Sequence, residues 1–143
     1  MLKKGFTLIE LLVVIGVMAV IAAGVVATIN PQQKLLQARD SQSQNGVGQV
    51  AGALQAFAAA EAQGRYPLAA AWQGDLVPTE LQAMPALPSC GAGACAYTYT
   101  VNAARDAASL SVPMQATKNT TIGALWCWRS AGGSAVLAAA CAP

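Results

Sequence analysis

The chain has 143 residues, of which 55% are hydrophobic and only 10% are charged. An ordinary soluble domain has roughly 25% charged residues, so part of this chain is suited to an apolar environment. The formal net charge is +2, and Lys3 and Lys4 account for it. The sequence has no other basic run and no histidine, which argues against a nucleic-acid partner and removes the commonest general base and metal ligand. Beyond residue 5 the charges balance, so many copies could pack closely without net repulsion.

An apolar segment runs from Phe6 to Ile29 and contains one charged residue, Glu10. At a rise of ~1.5 Å per residue, a helix of this length is about 36 Å long and crosses a hydrocarbon core of about 30 Å. Because Lys3 and Lys4 precede the segment, we expect the basic end to stay in the cytoplasm and the remainder to be exported. The sequence therefore predicts a precursor in the cytoplasmic membrane with a single span.

Gly5 and Glu10 distinguish this segment from an ordinary signal peptide. The apolar run is too long for a signal core and is not followed by a small-x-small cleavage site, whereas Gly5 lies directly before it. A carboxylate near the end of a span either reaches the headgroups or has a function. Cleavage after Gly5 would create an α-amino group on Phe6. A neighbouring copy's ammonium could then neutralise Glu10 and fix the register of two helices.

The segment KKGFTLIELLVVIGVMAVIA resembles the class III signal and hydrophobic stem of type IV pilins and pseudopilins. The resemblance rests on the short basic leader and on Gly5, Phe6, Thr7, Leu8 and Glu10. It implies that residues 1–5 are a leader peptide, that a prepilin peptidase/methylase cuts after Gly5, and that Phe6 becomes N-methylated. It also implies that residues 6–29 are the transmembrane and assembly stem. Thr7, Leu8 and Glu10 would then take part in homo-polymerisation at an inner-membrane assembly platform.

Residues 30–63 are predicted to form a second, amphipathic half of the long helix. Asn30-Pro31 interrupts the helix, because proline removes a hydrogen bond and clashes with the preceding turn. An apolar stripe then recurs at three- and four-residue spacing, which indicates packing on a sheet. The stripe consists of Val47, Val50, Ala51, Leu54, Phe57 and Ala58. The helix is expected to end near Gln63-Gly64, since glycine commonly stops a helix.

Charged residues near the start of this helix, and glycines further along it, need an interpretation. Lys34, Arg39 and Asp40 are interpreted as a solvated or headgroup-facing collar, with inter-subunit ion pairs as the alternative. The glycines weaken the helix by about 1 kcal/mol each relative to alanine, so packing must hold it. They are Gly46, Gly48 and Gly52.

Residues 64–95 are predicted to be a connecting loop, because four prolines prevent a long helix. A short turn is expected at Thr79–Met84, and Tyr66 and Trp72 are expected to anchor the loop in the core. Residues 96–143 contain alternating segments typical of an antiparallel sheet. The predicted strands are Ala96–Asn102, Ser109–Thr117, Ile122–Arg129 and Ser134–Cys141, and Pro113 predicts an edge strand or a bulge. The fold class is therefore α+β, with a long N-terminal helix packed on a small C-terminal antiparallel sheet.

The four cysteines, Cys90, Cys95, Cys127 and Cys141, are all in the C-terminal half. An even number in an exported region favours disulfides, and three pairings are possible. We expect Cys90 to pair with Cys95 and Cys127 with Cys141, because each pair is close in sequence. A zinc site is the alternative, but the spacing does not match two tight pairs of ligands. A bridge between Cys127 and Cys141 would correspond to the disulfide-bounded C-terminal region of many type IV pilins and contribute ~3 kcal/mol.

The remaining motifs do not indicate catalysis. Asn119-Thr120-Thr121 is an N-x-Thr sequon on a turn that is expected to be exposed. No nucleophile–base pair, phosphate-binding loop or paired carboxylates are present, so we expect neither an enzyme nor a cofactor nor a bound metal.

The sequence is therefore interpreted as a major-type pilin, a structural subunit of a type IV pilus-like filament that becomes extracellular after assembly. Such filaments serve adhesion, motility, DNA uptake or secretion. The alternative is a pseudopilin of a type II secretion or DNA-uptake machine. Major pseudopilins often lack disulfides and carry acidic calcium-binding loops, whereas only Asp106 is acidic in the strand region here. A third possibility is a membrane-anchored binding module, which would use the apolar segment only as a tether.

Overall fold

The computed structural model describes residues 5–90, 93–122 and 124–143. The chain divides into two compact units. The N-terminal unit ends at Lys34, and the second unit, called the head below, covers Leu35–Pro143.

Helix α1 (Leu8–Thr28) forms most of the N-terminal unit, and none of its residues is buried. It is the one helix in the described part of the chain that is long and apolar enough to cross a membrane, with a mean hydropathy of 2.7. The helix ends at Ile29, whose backbone is extended. Asn30 then caps the next helix, since its Oδ1 accepts a hydrogen bond from the Gln33 N–H at 3.3 Å. Pro31 is the first residue of that helix, where a missing N–H costs nothing, so the predicted interruption is confirmed.

Helix α2 (Pro31–Ala60) supplies one wall of the head's core. Its predicted apolar stripe faces inward: Val47, Val50 and Leu54 are fully buried, and Phe57 packs against the core while half-buried. These side chains share one cluster with Leu110 and other residues of the sheet. The burial of the stripe against the sheet confirms the predicted α+β architecture.

The sheet has four antiparallel strands in the order β3-β4-β5-β6. The strands are β3 (Thr98–Val101), β4 (Ala108–Pro113), β5 (Leu125–Arg129) and β6 (Ala135–Ala138). The edge strand or bulge expected from Pro113 is wrong, because β4 lies between β3 and β5 and pairs with β5 residue for residue. An inner strand tolerates this proline because Pro113 is its last residue, paired with Leu125 at the end of the ladder.

Shorter elements occupy the connections. Helix α3 (Trp72–Leu76) lies before the turn expected at Thr79–Met84, and buries Trp72 and Leu76 in the core. A small hairpin of β1 (Ser89–Cys90) and β2 (Gly93–Ala94) follows. Helix α4 (Thr117–Ile122) was not predicted, and it takes Ile122 away from the strand expected at Ile122–Arg129.

The predicted loop anchors have identifiable partners. Trp72 stacks on Tyr99 with ring centroids 5.1 Å apart, and Tyr66 meets Trp128 edge-on at 6.3 Å. The Tyr99 hydroxyl donates to the carbonyl of Pro67 at 2.9 Å. Burial raises the pKa of the Tyr99 phenol above its ordinary value, because the charged phenolate is poorly solvated there. The aromatic residues therefore fix the proline-rich connection onto the sheet.

Candidate functional site

The predicted cleavage site lies outside any helix. Residues 5–7 are in non-helical backbone, and helix α1 begins at Leu8. Gly5 is exposed, and the Phe6 side chain is 82% exposed. A peptide bond in this setting has no helical hydrogen bond to break before a peptidase can bind it. The Gly5–Phe6 bond is therefore accessible in the described conformation.

Thr7 and Glu10 together cap the start of α1. Thr7 is the N-cap residue, and its Oγ1 accepts a hydrogen bond from the Glu10 N–H at 3.3 Å. In return, Glu10 Oε2 accepts from the Thr7 N–H at 2.9 Å and from the Thr7 hydroxyl at 2.8 Å. This is a capping box, and it satisfies N-terminal amides that would otherwise be unpaired. The T-x-x-E spacing ahead of an apolar run was a signal for it that the sequence interpretation did not use.

The cysteines form two disulfides in the head, Cys90–Cys95 and Cys127–Cys141. The first closes the hairpin of β1 and β2, with Cα atoms 5.0 Å apart. The second joins fully buried Cys127 on β5 to the C-terminal tail, with Cα atoms 5.7 Å apart. Both are the pairings that proximity in sequence favours. Among the described residues, no group of three or more His, Cys, Asp or Glu could hold a metal ion.

The C-terminal tail is held on the sheet face that points away from α2. Arg129 Nη2 and Nε donate to the carbonyls of Ala140 and Ala142 at 2.9 and 3.0 Å. The Ser109 hydroxyl donates to the carbonyl of Cys141 at 3.3 Å. Ser109 lies on the same strand as Leu110 but on the opposite face, since successive strand residues alternate. The tail therefore covers a polar sheet face, and the roles of Arg129 and Ser109 were not visible in the sequence.

Asp40 corrects the interpretation of a solvated charged collar. Its side chain is 1% exposed. Its Oδ1 accepts from the Gln115 N–H at 2.7 Å, and its Oδ2 accepts from the Ala116 N–H at 2.9 Å and from Asn119 Nδ2 at 2.6 Å. A carboxylate tolerates burial when several donors replace water. Asp40 is therefore a structural contact between α2 and the segment that leads into α4.

The sequon is also placed differently from its expected exposed turn. Asn119 is half-buried in α4, and its amide nitrogen is bonded to Asp40. The other collar residues have no such role: Lys34 is exposed and Arg39 is half-buried.

The fold and the N-terminal segment together define an α+β protein with a membrane-inserting apolar helix ahead of a disulfide-stapled head. Residues 1–26 match the family model described as the prokaryotic N-terminal methylation motif. This match, with the apolar helix α1 that begins within it, identifies a type IV pilin-like class III signal. No curated protein and no solved structure matches the chain. The motif supports a pilin- or pseudopilin-like precursor, processed by a prepilin peptidase and assembled into a pilus-like polymer.

Proposed function

We propose that this protein is a major-type pilin, cleaved after Gly5, N-methylated on Phe6 and polymerised into an extracellular filament. The observation that carries the proposal is α1, which forms most of the segment that matches the methylation motif and buries none of its residues within the chain. Its apolar side chains, among them Leu8 at 85% and Val20 at 74%, are exposed. Leaving the bilayer without a new apolar environment would expose all of them to water, at roughly 1.5–3 kcal/mol per large side chain. A filament core built from α1 helices supplies that environment.

Processing prepares the helix for this assembly. Hydrolysis of the Gly5–Phe6 bond places the water's hydroxyl on Gly5 and leaves an α-amino group on Phe6, which is ordinarily protonated at neutral pH. Glu10 lies one helical turn further on and is the only charged residue of α1. A Phe6 ammonium from one copy and a Glu10 carboxylate from its neighbour would neutralise each other in an apolar core and set the stagger between helices.

The head favours a pilin over a pseudopilin. It carries two disulfides, which suit a subunit that must last outside the cell. Asp106, the single acidic residue of the strand region, accepts a hydrogen bond from the Asn102 side chain, and is used in the turn between β3 and β4. No described acidic cluster is present to form a calcium-binding loop of the pseudopilin kind.

Intact mass and N-terminal sequencing of material sheared from cells test the processing. Long fibres whose subunits begin at N-methylated Phe6 are expected. A stable membrane monomer that still carries Met1 would overturn the proposal. Short fibres retained in the envelope would instead favour the pseudopilin.

The Glu10→Val variant tests the registration role. We expect the variant to insert and to be cut but to assemble poorly, because the neighbour's ammonium then has no partner. Thr28→Val is the control, since it removes a hydroxyl at the other end of α1 and leaves Glu10 in place. If Glu10→Val gives the normal fibre yield, or if Thr28→Val loses fibres equally, registration by Glu10 is wrong.

A further inference from the structure

The nitrogen that a glycan would occupy in the Asn119 sequon already has a structural partner. Asn119 Nδ2 donates to Asp40 Oδ2 at 2.6 Å, across 79 residues of chain. N-linked glycosylation forms its new bond at this same nitrogen. The amide keeps one N–H after transfer, but its nitrogen lies against the buried carboxylate and must leave it to reach a transferase.

The buried Asp40 carboxylate uses Asn119 as one of its hydrogen-bond donors. It is almost fully buried, and the Gln115 and Ala116 amides donate to it together with Asn119. Withdrawing donors from a buried carboxylate is costly, because water does not replace them while the site stays closed. Asn119 is therefore held in place, because moving it away would leave the buried Asp40 carboxylate with one hydrogen-bond donor fewer.

We propose that the Asn119 sequon is a gated glycosylation site, which is closed in the folded head by Asp40 and opens when α2 separates locally from residues 115–119. The glycan donor would be a lipid-linked oligosaccharide pyrophosphate. In the transfer, the bond between the anomeric carbon and its phosphate oxygen breaks, a carbon–nitrogen bond forms to Nδ2, and one amide proton is released. The nitrogen must enter the transferase to react, and it cannot do so while it is held against Asp40.

The start of α2 allows the gate to open without unfolding the core. Residues 35–39 are exposed or half-buried, and buried positions begin at Asp40. The next buried residue, Ser43, has a hydroxyl without a hydrogen-bond partner in the described structure, so it adds little to the closed state. The deeply packed residues Val47 and Val50 lie further along. Local opening at Asp40 therefore breaks few other contacts, as in the sub-global openings of native proteins.

Glycan transfer to the full chain in detergent micelles tests the gate. The transferase is chosen because it modifies a synthetic peptide of residues 112–126, and attachment at Asn119 is followed by peptide mass spectrometry. When opening is faster than transfer, the rate follows the open fraction. The folded protein is expected to react at least about tenfold more slowly than the peptide, and Asp40→Ala should recover one to two powers of ten. Glu61→Ala, an exposed carboxylate just beyond α2, should react like the wild type.

Hydrogen exchange shows whether each variant opened where expected. The Gln115 and Ala116 amides should exchange faster in Asp40→Ala, while the β4 amides stay slow. If the β4 amides also exchange faster in Asp40→Ala, that variant is replaced by Asp40→Asn, which keeps the side-chain volume and removes the charge. Asp40→Asn should likewise receive the glycan faster than the wild type. Transfer to the folded wild type at the peptide's rate would overturn the proposal. An Asp40 variant that receives the glycan as slowly as the wild type would also overturn the proposal. This holds whether or not hydrogen exchange at its Gln115 and Ala116 amides has become faster.

Discussion

Gly46 is the glycine of α2 whose replacement by alanine should destabilise the head. A Cβ at this position would overlap the hydroxyl oxygen of Tyr97, and would lie 3.4 Å from the ring carbon that bears it. That hydroxyl donates to the carbonyl of Pro85 at 3.2 Å. Gly48 and Gly52 lie on the same helix, and a Cβ added at either would meet nothing within 4 Å. The three glycines thus offer one close contact and two matched open sites.

The expected magnitudes follow from these surroundings. Glycine to alanine in a helix interior gains about 1 kcal/mol in conformational terms. At Gly46 the overlap must displace Tyr97, at about 1–3 kcal/mol for overpacking, and the hydrogen bond to Pro85 is lost at about 1 kcal/mol. Gly46→Ala should therefore lower the free energy of unfolding by about 1–3 kcal/mol. Gly48→Ala should raise it by about 0.5–1 kcal/mol.

Urea unfolding of the full chain in micelles, followed by tryptophan fluorescence, measures these changes. All three tryptophans are in the head, at 72, 126 and 128, so the signal reports the head alone. Adding Tyr97→Phe removes the overlapping atom. In that background Gly46→Ala should stabilise as much as Gly48→Ala does. If Gly46→Ala is as stable as Gly48→Ala in the wild-type background, the close-contact reasoning is refuted. If Gly46→Ala loses as much free energy of unfolding in the Tyr97→Phe background, the overlap is not with the Tyr97 hydroxyl.

Three further outcomes can be checked by the same unfolding assay. Replacing Cys127 and Cys141 together by alanine should lower the free energy of unfolding by about 2–5 kcal/mol; no loss would mean that the Arg129 contacts alone hold the tail. Ser43→Ala removes a buried hydroxyl that has no partner in the described structure, so stability should stay equal or rise by up to about 1 kcal/mol. A clear loss would show that the hydroxyl is bonded. Burial raises the pKa of Tyr99, so its contribution is complete below the unfolded pKa of about 10 and is lost as the pH rises beyond it. Tyr99→Phe should flatten the fall in stability with alkaline pH, and an unchanged slope would contradict this.

Local patterns in the sequence predicted most of the secondary structure. The apolar run, the break at Asn30-Pro31 and the stripe beginning at Val47 each depend on residues a few positions apart. The same holds for the strand centred on Tyr99. Periodicity records such short-range requirements directly, and the N-terminal motif is recognisable because its residues are contiguous.

Contacts between distant residues could not be predicted in this way. Asp40 looked like a surface charge, because its donors are 75 to 79 residues away. Helix α4 was missed for the related reason that Asp40 stabilises the backbone leading into it. Pro113 predicted an edge strand or a bulge because strand order is a property of the whole sheet, and its position at the end of β4 removes the conflict. Tertiary structure overrides local preference at each of these positions.

The capping box of α1 lies entirely on one side of the predicted cut. Thr7 and Glu10 both lie downstream of the Gly5–Phe6 bond, so every hydrogen bond of the box stays with the long product that begins at Phe6. The beginning of α1 is encoded entirely in the part of the chain that remains. Removal of the predicted leader, residues 1–5, would therefore take away none of the hydrogen bonds that begin the helix.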